Sequence, residues 1–135
     1  MLVQDVIAAI KIATDMVKER LISKEVAVGR VHPLQIYESL LKNIEPEDLD
    51  KNQSVSFGLP AGPGASCGAA VFSAEKAEAL GKKGKKVILV REETSPEDIH
   101  GMHYSEGILT SRGGLTSHAA LVARGWGKSC VVGCQ

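Results

Sequence analysis

The chain has 135 residues, room for one domain and an attached segment but not for two full cores. Its 16 basic and 16 acidic side chains cancel and are interspersed, which removes the electrostatic case for nucleic acid or an anionic membrane as partner. Three cysteines, Cys67, Cys130 and Cys134, are odd in number and lack paired spacing, a pattern that fits a reducing compartment better than a disulfide framework.

Val3, Val6, Ile7, Ile10, Val17 and Leu21 recur at helical spacing, so residues 2–22 are expected to form an amphipathic helix whose apolar stripe needs a partner. Asp5, Lys11 and Asp15 interrupt that segment, which is neither a signal peptide nor a membrane span. Ser23 is a cap for a second short helix ending near Gly29. Pro33 opens a third, with Leu34, Tyr37, Leu40, Leu41 and Ile44 on one side. EPEDLDKNQ, residues 45–53, is polar and acidic and reads as a linker, dividing a helical connector (1–53) from a domain (54–135).

Beyond the linker the composition changes. Val55 and Phe57 alternate with serines as a strand, LPAGPGASCG makes a wide turn, and residues 69–72 return as a second strand. Ser73 caps a short helix closed by Gly81, and KKVILVR (85–91) is a buried, β-branched strand. Ser95-Pro96-Glu97-Asp98 is a helix start with a cap, a proline at the first position and two acids in the first turn. Residues 107–110 form a strand, a short helix follows from about Thr116 or Ser117 with Gly125 closing it, and 129–132 form the last strand. The order β-β-α-β-α-β-α-β is that of an α/β layer fold.

Chemistry concentrates in RGGLTSHAALVARG, residues 112–125. His118 falls in the first turn of a helix, where unpaired amides and the positive end of the helix dipole favour an anion. Gly113 and Gly114 let the backbone approach a phosphate, Thr116 and Ser117 offer hydroxyl donors, and Arg112 offers charge. A neutral imidazole is nucleophilic, and phosphoryl transfer asks chiefly for positioning and charge stabilisation, so a covalent phosphohistidine fits this junction. A histidine after a glycine turn is also commonly a surface or capping residue. Spacing alone leaves both readings open.

GGLTSHAALVARGWGK (113–128) resembles the active-site signature of the PEP-utilising enzymes, which make or use phosphoenolpyruvate through a phosphohistidine. Within that family the pyruvate, phosphate dikinases match best, in Thr116-Ser117-His118 and Ala123-Arg124-Gly125, in ETSPEDIHGMHYSEGILTSRGG (93–114) and in LPAGPGASCGAAVF (59–72). DMVKERLISKEVAVGRVHP (15–33) is similar to the family's helical connector. Leu115 stands where these dikinases usually carry methionine, a volume-conserving difference.

The resemblance implies a swivelling β/β/α phosphohistidine domain, truncated at its C-terminus, in a longer protein. An ATP-grasp domain would precede residue 1, a phosphoenolpyruvate/pyruvate barrel would follow, and the domain itself would continue past Gln135. His118 would be the catalytic nucleophile, taking the β-phosphoryl of ATP while inorganic phosphate takes the γ-phosphoryl, and passing it to pyruvate. Arg112, Gly113, Gly114, Thr116 and Ser117 would stabilise the phosphate, and Mg2+ would be held by the other domains. Thr116 would match the threonine that a regulatory kinase/phosphatase modifies in plant members, where a dianion beside His118 repels the incoming phosphoryl group. The whole protein is expected to be a cytoplasmic homodimer, or plastidic in a plant, with no nucleic-acid or membrane partner. Phosphoenolpyruvate synthase, the first enzyme of the sugar phosphotransferase system, and an inert binding module are the alternatives. Arg124-Gly125-Trp126-Gly127 and Thr94-Ser95-Pro96-Glu97-Asp98 favour the dikinase.

Other signals fail. Gly127-Lys128-Ser129 ends like a P-loop, but Val122 stands where that motif needs glycine, and a strand follows instead of a helix. Gly62-Pro63-Gly64 with Gly68 suggests a dinucleotide loop, yet a strand rather than a helix comes next. Cys130 and Cys134 lie roughly 13 Å apart by strand rise and read as buried inert thiols. His100 and His103 have the spacing of a metal pair without further ligands and read as solvent-facing, His32 as a helix entry, and Trp126 as core or rim.

Overall fold

The computed structural model describes residues 3–135. By its internal contacts the chain divides into two units, one reaching to Leu41 and the other Lys42–Gln135.

The first unit is helical: α1 (Val3–Lys18), α2 (Lys24–Arg30) and α3 (Pro33–Leu40), with α2 and α3 both packed on α1. Ser23 caps α2 as expected, its Oγ accepting the Val26 N–H at 3.3 Å. The expected start at residue 2 and the side chains of Val3 and Val6 lie outside the described residues. α1 ends earlier than its periodicity suggests, because Arg20 takes a positive φ of 60° and turns the chain, leaving Leu21 exposed beyond the helix. Ala13 is the buried anchor of the stripe, whereas Ile12, Leu34 and Leu40 remain exposed.

The second unit opens with α4 (Pro46–Lys51), where a plain linker was expected. Pro46 at the start, Glu47 and Asp48 in the first turn and Lys51 in the last suit a helix of one and a half turns. Then come β1 (Leu59–Gly62), β2 (Ala69–Val71), α5 (Ala74–Gly81), β3 (Val87–Arg91), a 3-10 turn (Pro96–Asp98), α6 (Ile99–Tyr104), β4 (Gly107–Thr110), α7 (His118–Trp126) and β5 (Ser129–Val132). The order of strand and helix types is the one read from the sequence. The first strand, however, is not at Val55 and Phe57, both exposed, but in the segment expected to be a turn. Strand identity there is set by the partner. β1 pairs antiparallel with β5 across a register shift between Pro60 and Gly62, and a side chain at Gly62 would run into the Lys128 carbonyl, so only a glycine permits the approach.

The sheet order is β1-β5-β4-β3-β2, with β2, β3, β4 and β5 parallel. Each parallel pair is joined by a crossover helix. Right-handed crossovers stepping one way along the sheet bring α5, α6 and α7 to the same face. There Ala77, Met102, Ala119, Ala120 and Ala123 meet Val71, Val87, Leu89, Ile108, Cys130 and Val132 in one buried cluster. Alternate strand residues Ile88, Val90, Leu109 and Val131 are less buried, as the period of two requires. Lys128 fastens the end of α6 to the start of β5, its Nζ donating to the carbonyls of His103 and Ser105. Partial burial lowers its pKa. Among the described residues no helix is long and apolar enough to cross a membrane.

Burial separates the cysteines. Cys67 is exposed, while Cys130 is enclosed in the core, and desolvation, with the neighbouring Cys134 adding to it, pushes its thiol up to about 11. Iodoacetamide at pH 8 is therefore expected to alkylate Cys67 in the native protein and to reach Cys130 only after denaturation, as read by peptide mass spectrometry. Cys134 lies past the end of β5 and is half-buried.

Candidate functional site

The C-terminal ends of parallel strands are where an open α/β sheet exposes its loops to ligands, and here the loops after β3 and β4 meet. The ladder between these strands continues past their ends: the amides of Ser111 and Arg112 donate to the carbonyls of Arg91 and Glu92 at 3.1 and 2.8 Å. The chain after β5 joins them, with the Cys134 N–H on the Thr110 carbonyl at 2.9 Å. Thr110 Oγ1 donates to the Arg112 carbonyl at 2.7 Å, and Arg124 Nη2 donates to the Leu115 carbonyl at 3.1 Å, so the glycine loop is held from both sides.

Within this frame His118 is the first residue of α7, capped by Ser117, whose Oγ accepts the Ala120 N–H at 3.4 Å. The helix runs through Gly125 and ends at Trp126. Gly127, not Gly125, closes it, in the left-handed conformation at φ 64°. The imidazole is half-buried, and its Nδ1 lies 3.0 Å from Thr94 Oγ1, a hydroxyl on the loop after β3. Thr94 is itself buried, at 8% exposure, which makes this a shielded contact.

The other residues expected at the site fall around this pair, with unequal roles in the geometry. Gly113 has φ +99°, and a side chain there would press on Ser117 Cβ at 2.9 Å; the loop needs this glycine. Gly113→Ala is expected to lower stability by about 1–3 kcal/mol, seen as a lower thermal midpoint. Gly114 has open space around it, and its carbonyl accepts the Ser117 N–H at 2.9 Å. Thr116 is exposed. The Ser117 hydroxyl is occupied as the helix cap. Arg112 pairs with Glu92 at 2.8 Å, both well exposed, a bond weak enough for an arriving anion to displace.

Thr94 was missed in the sequence, since nothing in a Glu-Thr-Ser-Pro string separates a histidine partner from a residue preceding a helix cap. The rejected signals have plain structural roles. Lys128 binds carbonyls and Ser129 begins β5. His100 and His103 are exposed, and Trp126, 41% exposed, meets His103 edge to face, so it belongs to the rim. Among the described residues no group of three or more His, Cys, Asp or Glu side chains could hold a metal ion.

Residues 83–135 match the family model described as PEP-utilising enzyme, mobile domain. Over this segment the chain is similar to the mobile domain of the PEP-utilising enzymes. The match contains β3, β4, α7 and β5 and therefore the whole Thr94–His118 site. Over 95% of its length the chain is 54% identical to pyruvate, phosphate dikinase 2 of Zea mays, and over 93% it is 56% identical to pyruvate, phosphate dikinase of Rhizobium meliloti (strain 1021). A chloroplastic pyruvate, phosphate dikinase 1 of Arabidopsis thaliana is 54% identical over 94%. The chain spans about one seventh of the length of these relatives, 14%, 14% and 13% respectively. It is homologous to the mobile domain of a PEP-utilising phosphotransferase.

Proposed function

We propose that this chain is the phosphoryl carrier of a pyruvate, phosphate dikinase, with His118 as the residue that is phosphorylated. The observation that carries the reading is the half-buried imidazole at the first position of a capped helix with Nδ1 held by Thr94 Oγ1 at 3.0 Å. When Nδ1 keeps the proton and donates it to Thr94, Nε2 presents a lone pair. Nε2 attacks the β-phosphorus of ATP, an N–P bond forms, and the bond from that phosphorus to the oxygen it shares with the α-phosphorus breaks, releasing AMP. Inorganic phosphate takes the γ-phosphoryl as pyrophosphate. The enolate oxygen of pyruvate, formed by loss of a methyl proton to a base outside this chain, then takes the phosphoryl group, and the N–P electron pair returns to Nε2. The backbone amides at the start of α7 and the side chain of Arg112 stabilise the charge on the bound phosphoryl.

The ATP-grasp and barrel domains of the same protein would be the partners, supplying nucleotide, pyruvate and the Mg2+ that shields the phosphates. The exposed Thr116, two residues from His118, is the proposed point of regulatory phosphorylation, through like-charge repulsion. We assign the protein to the cytosol, or to the plastid in a plant, and the full-length protein to a homodimer.

The test supplies the nucleotide-binding domain in trans with ATP labelled in the β-phosphoryl and inorganic phosphate. Label on this chain that is lost in acid and retained in base supports the reading. Acid-stable label, or none, overturns it.

A further inference from the structure

A buried carboxylate lies one step behind Thr94. Asp98, 6% exposed, turns back from the 3-10 turn so that Oδ2 accepts the Ser95 N–H at 2.9 Å, with Ser95 Oγ at 3.4 Å from the same oxygen. Its Oδ1 faces Arg91 Nη2 at 3.5 Å, and Arg91 Nη1 donates to the Phe72 carbonyl at 3.2 Å. Arg91 Nε is buried without a partner. A carboxylate removed from water to this degree costs free energy unless it is paired and hydrogen-bonded, and both of its oxygens are directed at the peptide that follows Thr94 and at the strand that precedes it.

We infer that Asp98 is a positioning residue for His118, acting through Thr94. The Ser95 N–H belongs to the peptide plane whose carbonyl carbon is that of Thr94, so holding this amide fixes the Thr94 backbone. Threonine is β-branched and has few χ1 choices, so fixing its backbone places Oγ1. Oγ1 in turn meets Nδ1 of His118, and the partner of one ring nitrogen decides which nitrogen carries the proton. Arg91, on the last residue of β3, anchors Asp98 to the sheet. The ring proton of His118 is thus set by the carboxylate that closes a three-residue turn.

The inference rests on the phosphohistidine reading for its purpose, but its test does not need it. The tautomer of His118 is read by long-range 15N–1H correlation on the uniformly labelled chain. The rate of phosphorylation by phosphoramidate, a small donor that needs no second domain, is measured in parallel. Asp98→Ala, in a chain whose circular dichroism is unchanged, removes the acceptor of the Ser95 N–H and is expected to shift the His118 ring nitrogens toward the Nε2–H form and to slow phosphorylation about tenfold, the worth of one such hydrogen bond. Introduced into Thr94→Val, the same substitution is expected to change the rate less than twofold, because its route to the ring is already cut. Equal losses in both backgrounds, or unchanged His118 shifts in Asp98→Ala, overturn the inference. If Asp98→Ala does not fold, Arg91→Gln takes its place with the same non-additivity required. A wild-type chain that takes no phosphoryl group from any donor sinks the phosphohistidine reading instead, and the tautomer result then decides the positioning claim by itself.

Discussion

Replacing His118 with asparagine is expected to abolish the acid-labile label while leaving the thermal midpoint within a few degrees of wild type. Asparagine keeps a polar group near Thr94 Oγ1 and is tolerated in the first turn of a helix whose cap, Ser117, is unchanged. The amide nitrogen of asparagine has no lone pair available for phosphorus, so the loss is on the order of a thousandfold or more, as for removal of other covalent nucleophiles. The measurement is transfer from ATP labelled in the β-phosphoryl, with phosphoamino-acid analysis. Label surviving in the mutant would move the acceptor to another residue, such as the exposed hydroxyl of Thr116 two positions earlier in the sequence.

The second large effect belongs to Thr94→Val. Valine has the shape of threonine and removes only the hydroxyl, so the buried loop keeps its packing while Nδ1 of His118 loses its 3.0 Å partner. Phosphorylation is expected to slow by about tenfold to a hundredfold, and Thr94→Ser is expected to recover much of the loss because it restores the oxygen. A pre-steady-state rate on the isolated first half-reaction reads this directly. A rate unchanged in the valine variant would mean that Thr94 is only a loop residue and that the orientation of the ring has another source.

Much of the fold was legible because its signals are local. Ser23, Ser73 and Ser117 each cap the helix that follows, with the hydroxyl on the amide three residues on. The strands at Gly107–Thr110 and Ser129–Val132 fall where β-branched and apolar residues sit between turn signals. What depended on a distant partner was not legible. Leu59–Gly62 is a strand because β5 lies beside it, in spite of a proline and a glycine, whereas Val55 and Phe57, better strand formers, lie before that ladder and stay irregular, the Phe57 carbonyl accepting the Gln135 N–H at 3.2 Å.

By itself the sequence determined that a histidine would stand at the first turn of a serine-capped helix after a glycine loop, since helix capping and glycine conformation are decided within a few residues. Only the tertiary structure decided which side chain that histidine would meet. Thr94 and His118 come together because β3 and β4 lie side by side and parallel, with Arg91 opposite Thr110, which brings two loops from distant parts of the chain to one edge of the sheet. That register is a property of the whole core, where Leu89, Ile108 and Cys130 must face the helices together.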